Sequence, residues 1–311
     1  MHIVLLDAKT LGEDLDLGIL EPFGEVTLYQ TTSPEETPAR IQDAEIIITN
    51  KVVITKEMMQ NSPTLKLICI AATGMNNVDL DAARDLGITV KNVAGYSTQS
   101  VVQHTFSMTL YLLEQMAYYD QSVKCGAWTK SGLFTDVSRP FYEIAGKKWG
   151  IIGLGNIGRE VARVAAAFGA EVYYYSTSGT NHDQTYRRVS LDELLKQCDI
   201  ISIHAPLNEN THNLINRTNL PYLKENSILL NLGRGGIINE ADLAEAMQTK
   251  TFYAGLDVLE QEPVREGHPL LDIPHPQNLL ITPHIAWTSI EARKKLLKGI
   301  VENIKSFLQK A

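Results

Sequence analysis

Cysteine is scarce in this chain of 311 residues: Cys69, Cys125 and Cys198 lie far apart and never form a CxxC pair. That spacing excludes a disulfide framework and a thiolate zinc site, and no metal is expected. No run of about 18 apolar residues occurs, so no membrane-spanning helix is expected. The opening "MHIVLLDAKT" has neither a basic leader nor a small-residue cleavage site, which points to a cytoplasmic protein. Basic residues are outnumbered, 28 Lys and Arg against 36 Asp and Glu, for a net charge of −8. A nucleic-acid partner would need a Lys/Arg stripe to displace phosphate counterions, and none is present. Internal repeats and low-complexity tracts are missing too. What the chain does have is 44% hydrophobic residues, enough to fill the cores of two ordinary domains.

Short β-rich runs alternate with helical patterns, the mark of βαβ units and parallel sheets. The first series is "HIVLLDA", "EVTLYQ", "EIIIT", "LKLICIA" and "ITVKNV"; the second is "KWGIIGL", "EVYYYS", "DIISIHA", "SILLNLG", "YAGLDVL" and "NLLITP". The pattern predicts an α/β protein with a five-stranded and a six-stranded doubly wound sheet. Ser97 to Asp120 reads as one long connecting helix, and Lys124 to Pro140 as an exposed excursion. The last segment, "EARKKLLKGIVENIKSFLQKA", puts Leu296, Leu297, Ile300, Val301, Ile304 and Leu308 on one helical face.

Three glycines spaced GxGxxG do not define a site alone, but "WGIIGLGNIG" ends a strand and opens a helix, as dinucleotide binding requires. Gly153 permits the tight turn, Gly155 lets a pyrophosphate approach the backbone, and Gly158 lets helix and strand pack closely. The helix N-terminus then faces the phosphates with unpaired N–H groups. About 20 residues on, where NAD sites carry an acid for the ribose 2′-OH, stands Ser176, followed by Thr177 and Ser178. A neutral cluster removes the repulsion a carboxylate would exert on a 2′-phosphate, so relaxed use of NAD and NADP, or use leaning to NADP, is expected; Arg187 and Arg188 come late for a phosphate clamp.

Ligands of such a domain lie beyond the carboxyl ends of its strands. There "NLGRGG" carries Arg234, "GLDVLEQEP" carries Asp257 and Glu262, and "NLLITPHIAW" carries His284 and Trp287. Moving a hydride between a nicotinamide and a 2-oxo acid needs a proton donor for the carbonyl oxygen, a role that suits histidine. Glu262 is the carboxylate that would fix its tautomer, and the Arg234 guanidinium could grip the substrate carboxylate in bidentate fashion. Together they predict an oxidoreductase. A nucleotide-sensing module without turnover, or a methyl-donor transferase, would not need all three.

These motifs, with "AGKKWGIIGLGNIG" and "NLGRGGIINEADLAEAM", resemble the D-isomer-specific 2-hydroxyacid dehydrogenases nearly end to end. "ATGMNNVDLDAARDLGITVKNVAGYSTQSVVQHTF" is most similar to the hydroxypyruvate reductases, also called glycerate dehydrogenases, with D-lactate-type activity the alternative. The resemblance implies a flavodoxin-like substrate domain of residues 1–97 and 289–311 and an inserted Rossmann domain of residues 98–288, with the active-site cleft between them. It implies catalytic roles for Arg234, Glu262 and His284, and coenzyme contacts at Asn156, Ile157, Ala205, Pro206, Thr211, Leu232 and Gly233, with Asp257 near the nicotinamide amide. Backbone N–H groups of Thr73 and Gly74 would hold the substrate carboxylate, and Met75, Tyr96 and Trp287 would set the pocket size. It further implies a homodimer through the 98–120 helix and no regulatory domain after Ala311. Asn239, where the family commonly has Asp, is expected to act as a local cap.

Overall fold

A computed structural model describes residues 1–309. By internal packing the chain divides into two units, one of Met1–Ser97 with the chain from Thr288 onward, the other Thr98–Trp287. The second join lies one residue before the expected one.

In the first unit, strands β1 (His2–Leu5), β2 (Glu25–Leu28), β3 (Ile46–Thr49), β4 (Leu67–Ile70) and β5 (Thr89–Lys91) are linked through helices α1 (Thr37–Ile41), α2 (Lys56–Gln60) and α3 (Leu80–Asp85). All pair in parallel in the order β2-β1-β3-β4-β5, the flavodoxin order. β3 and β4, read as IIIT and LICI, are buried on both faces, which is why they show no alternation.

The second unit begins with α4 (Thr98–Leu113), α5 (Met116–Lys124) and α6 (Ala127–Ser131). The expected single helix to Asp120 is therefore broken. Gln115 adopts a left-handed conformation at φ 54°, and its side-chain amide donates to the Leu112 carbonyl at 2.8 Å, ending α4. The excursion that follows is largely exposed, as expected, but is not all loop, since it contains α6.

Seven parallel strands, not six, form the second sheet: β6 (Lys148–Ile152), β7 (Glu171–Tyr175), β8 (Arg187–Arg188), β9 (Ile200–Ile203), β10 (Ile228–Asn231), β11 (Tyr253–Leu256) and β12 (Leu279–Ile281). Their order, β12-β11-β10-β9-β6-β7-β8, is the Rossmann order with one strand added. β8 escaped notice because it is two exposed arginines at the sheet edge, without hydrophobic patterning. Helix α7 (Asn156–Ala167) follows β6 and packs with α4 on one face of the sheet around Trp149, Phe106 and Leu230. Helices α8 (Leu191–Gln197) and α9 (Glu240–Thr249) cover the other face around Ile201, Leu229 and Phe252. Asn239 caps α9, its side chain accepting from the Asp242 N–H at 3.0 Å.

The chain then returns to the first unit as α10 (Ile290–Leu308), capped by Ser289. Its buried face is Ala292, Leu296, Leu297, Ile300, Val301 and Ile304; Leu308, expected on that face, is 36% exposed because it lies in the last turn. The end of the expected helix, Lys310 and Ala311, lies outside the described residues.

Candidate active site

At the carboxyl end of β10 the chain turns sharply, and Asn231, almost fully buried, fixes the turn. Its amide donates to the Arg234 carbonyl at 2.9 Å while its oxygen accepts from the Gly233 N–H at 3.1 Å. Arg234 is half-buried, with Nη1 donating to the Gly233 carbonyl at 2.8 Å. Gly235 lies so close to the Leu259 carbonyl that a β-carbon there would overlap it. That contact seats the arginine turn directly on the segment after β11. In this segment Glu262 folds back, with Oε1 accepting from the Leu259 N–H at 3.1 Å. Its other oxygen is 2.7 Å from His284 Nδ1.

An ionised carboxylate can only accept, so Nδ1 carries the hydrogen and Nε2 is left to exchange a proton. Both side chains keep partial access to solvent, with 22% exposure for His284 and 33% for Glu262. Glu262 and His284 thus meet directly, and Arg234 adjoins them through the Gly235–Leu259 contact.

β6 and β9 are the strands between which the order of the sheet reverses, the switch point where doubly wound sheets bind ligands. Gly153 stands there at φ +90°, where a β-carbon would lie 2.9 Å from the Ala205 Cα. Gly158 presses α7 against the Gly153 carbonyl. Gly155 is different: its φ of −85° suits any residue, and a β-carbon would meet nothing within 4 Å. No side chain caps the N-terminus of α7. The chain leaves open a space bordered by unpaired N–H groups, which fits a pyrophosphate.

Comparison with known proteins agrees with this geometry. Residues 106–286 match the family described as D-isomer specific 2-hydroxyacid dehydrogenase, NAD binding domain. A hydroxypyruvate reductase of Blautia hydrogenotrophica is 37% identical over 99% of this chain and 97% of its own length. A glycerate dehydrogenase of Methylorubrum extorquens is 39% identical, covering 90% of this chain and 88% of its own. The chain belongs to the D-isomer-specific 2-hydroxyacid dehydrogenase family. Among solved structures, a D-lactate dehydrogenase from Aquifex aeolicus complexed with NAD and lactic acid superposes with a TM-score of 0.86 at 27% identity, over 100% of this chain and 96% of that one.

In this 2-hydroxyacid dehydrogenase the remaining expected coenzyme residues fall into two groups. Asn156 and Ile157 open α7, and Ser176 directly follows β7 with Oγ accepting from the Asn181 N–H at 3.3 Å, Thr177 following half-buried. Ala205, Leu232 and Gly233 are buried at the ends of β9 and β10, and Pro206 is exposed. The side chains of the second group are engaged by the protein itself. Thr211 is buried, donating to the Pro206 carbonyl at 2.6 Å and accepting from the Asn208 N–H at 2.8 Å, which ties down the loop after β9. Asp257, 2% exposed, accepts from Thr282 Oγ1 at 2.7 Å and from the N–H groups of Ile285 at 2.8 Å and Ala286 at 2.9 Å. Its carboxylate holds the turn that carries His284. Trp287 is half-buried just beyond that turn.

Thr73 and Gly74 follow β4 in the first unit, where Asn92 donates to the Thr73 carbonyl at 2.6 Å and Thr73 Oγ1 donates to the Val93 carbonyl at 3.3 Å.

One site feature was set aside in the sequence as too late in the chain, and one escaped it. β8 carries Arg188 alongside the turn after β7, with Nη1 donating to the Asn181 carbonyl at 3.3 Å and lying 3.4 Å from His182 Nδ1. His204, immediately before Ala205, shares the Ser202 hydroxyl with Trp149 and has a buried Nδ1 without a hydrogen-bond partner. Burial pushes its imidazole down to about 3, so the ring is neutral.

Because a methyl group on Gly155 has room in the protein, Gly155→Ala should leave the melting temperature unchanged within error. It should weaken coenzyme binding by about tenfold or more, the worth of ~1.4 kcal/mol. Titration of coenzyme fluorescence beside a thermal melt checks this; full affinity would show that the phosphates lie elsewhere.

Proposed function

We propose that this dehydrogenase reduces a small 2-oxo acid, with hydroxypyruvate and glyoxylate as first candidates, to the D-2-hydroxy acid. The observation that carries the reading is the 2.7 Å contact between His284 Nδ1 and Glu262, seated beside the Arg234 turn at the strand ends of a dinucleotide fold. When bound, the nicotinamide supplies the hydride that reduces the carbonyl carbon. Arg234 holds the substrate carboxylate with its guanidinium fork and faces the carbonyl oxygen, where negative charge develops. His284 gives the proton on Nε2 to that oxygen, so one hydride and one proton convert the carbonyl to an alcohol. Glu262 keeps the ring in one orientation and one tautomer throughout, and stabilises it while it carries the extra proton. Trp287 bounds the substrate side chain in this reading. The relatives named hydroxypyruvate reductase and glycerate dehydrogenase support the choice of substrate. Three unpaired thiols, two of them buried, suit the reducing cytoplasm.

NADP is the preferred coenzyme in this proposal. Ser176, Thr177 and Ser178 put no carboxylate where a 2′-phosphate would sit, and β8 brings Arg188 beside their turn. Asp183, the first acid after them in sequence, is occupied by an ion pair with Arg159.

The dehydrogenase also pairs with a second copy of itself, through the exposed end of the expected 98–120 region and the segment that follows it. The apolar residues of α4, among them Val102, Phe106 and Leu112, are buried within their own unit. Met116, Val123, Trp128, Leu133, Phe134 and Val137, beyond α4, are exposed, Phe134 to 92%. Clustered exposed apolar side chains mark association surfaces.

His284→Ala should lower kcat by about 10² to 10⁴ while coenzyme still binds, the usual worth of an acid–base group. Arg234→Lys should raise KM for every 2-oxo acid, since a point charge cannot reproduce the fork. Steady-state assays over a panel of 2-oxo acids check both, and wild-type rates from His284→Ala would end the proposal. Initial rates should favour NADPH over NADH, with Arg188→Ala reducing that advantage; a strong NADH preference would refute the coenzyme assignment. Phe134→Asp should shift the sedimenting species from dimer to monomer, and a wild-type protein that sediments as a monomer would refute the pairing.

A further inference from the structure

His284 occupies the left-handed region at φ 54°, a conformation that is strained for a residue with a β-carbon. Such a conformation persists only where the surroundings over-determine it. Here the His284 N–H is shared between the carbonyls of Asp257 and Thr282, both at 2.9 Å. The next two N–H groups are held by the Asp257 carboxylate, which also accepts from Thr282 Oγ1. A carboxylate this deeply buried needs donors around it.

One face of α4 completes that shell. Ser100 Oγ donates to the Ala286 carbonyl at 2.6 Å, gripping the far end of the turn. One helical turn later, His104 Nε2 lies 3.1 Å from Thr282 Oγ1 and 3.5 Å from Asp257 Oδ1. The hydroxyl hydrogen of Thr282 is committed to Asp257, so Thr282 Oγ1 is the acceptor toward His104, and Nε2 of that ring carries a hydrogen. His104 is a donor to the threonine and adds a favourable dipole toward the carboxylate. Spacing of four residues is what puts Ser100 and His104 on the same side of a helix.

We propose that His104, with Ser100, is a positioning residue that holds His284 in its working orientation through Thr282 and the Asp257 carboxylate. The inference rests on the reading of His284 as the proton donor. α4 also packs against α7, the helix that the glycine turn opens, so one rigid element references both the proton donor and the dinucleotide turn. Misplacement of a reacting group by about 1 Å can cost on the order of 10² in rate, so loss of this donor acts on kcat rather than on coenzyme affinity.

The test compares His104→Ala, His104→Gln and His284→Ala in the full chain, measuring kcat, KM, coenzyme affinity and melting temperature. Hydrogen exchange of a peptide spanning residues 282–287 is followed in the coenzyme-free protein. The glutamine amide can still donate toward Thr282, so it is the rescuing variant. His104→Ala should lower kcat about tenfold or more, leave coenzyme affinity within about twofold, and speed exchange at Ile285 and Ala286; His104→Gln should restore most of kcat and the protection. Unchanged kcat and exchange in His104→Ala, beside an inactive His284→Ala, would overturn this inference alone. Loss of coenzyme affinity and melting temperature in parallel with kcat, without rescue by Gln, would reduce His104 to a packing residue and also overturn it. An active His284→Ala would instead remove the reading beneath it, while the exchange data would still report whether His104 holds the turn.

Discussion

Everything at the ligand end of the second sheet depends on backbone meeting backbone. Four neighbouring strand-end turns approach so closely that no β-carbon fits at three contacts: Gly153 against Ala205, Gly233 against the Ala205 carbonyl, and Gly235 against the Leu259 carbonyl. Each contact removes a degree of freedom from a turn that would otherwise be a solvated loop. The gain is precision, because Arg234 and Glu262 stand on segments that cannot drift apart without opening these contacts. The glycines of "NLGRGG" are therefore a packing requirement. Room for the arginine side chain, the simpler reading of that motif, is a secondary consequence.

The same distinction separates the glycines of the nucleotide turn. Gly153 and Gly158 have protein neighbours that account for them fully. Gly155 has neither a steric neighbour nor an unusual φ, so nothing within the chain explains the missing side chain. A glycine that the protein does not itself need is a stronger pointer to a ligand than one that it does. The spacing GxGxxG does not distinguish the two cases; only the surroundings do.

Strand placement was legible because parallel strands buried on both faces read as unbroken apolar runs, as in IIIT and LICI. The contact between Glu262 and His284 was legible because the two residues follow consecutive strands, β11 and β12, and the topology of a doubly wound sheet puts such ends side by side. β8 was hidden because an edge strand of two arginines has no burial to pattern. The break in the long helix was hidden because Gln115 has no sequence preference for a left-handed turn, and only the local hydrogen bond to Leu112 reveals it. Asp257 illustrates a third limit. Its position at a strand end over the ligand side invites a role in binding, but a side chain's occupation by its own neighbours cannot be read from spacing.

That occupation explains how a histidine can stand where glycine would be at ease. Glycine would relieve the backbone at position 284 but would supply no imidazole, so the conformational cost must be met by the surroundings. The Asp257 carboxylate meets it because it is an acceptor on both oxygens and so can receive two successive N–H groups and a hydroxyl at once. An amide of the same shape has one acceptor oxygen and a donating nitrogen, which would face the Ile285 or the Ala286 N–H with like polarity. Charge at this buried position serves the geometry of the turn, and the turn in turn presents Nε2 of the ring whose Nδ1 is spent on Glu262. In the proposed mechanism the residues that act on substrate and those that hold them are separate sets joined by hydrogen bonds. Both sets are needed for a proton donor with one orientation.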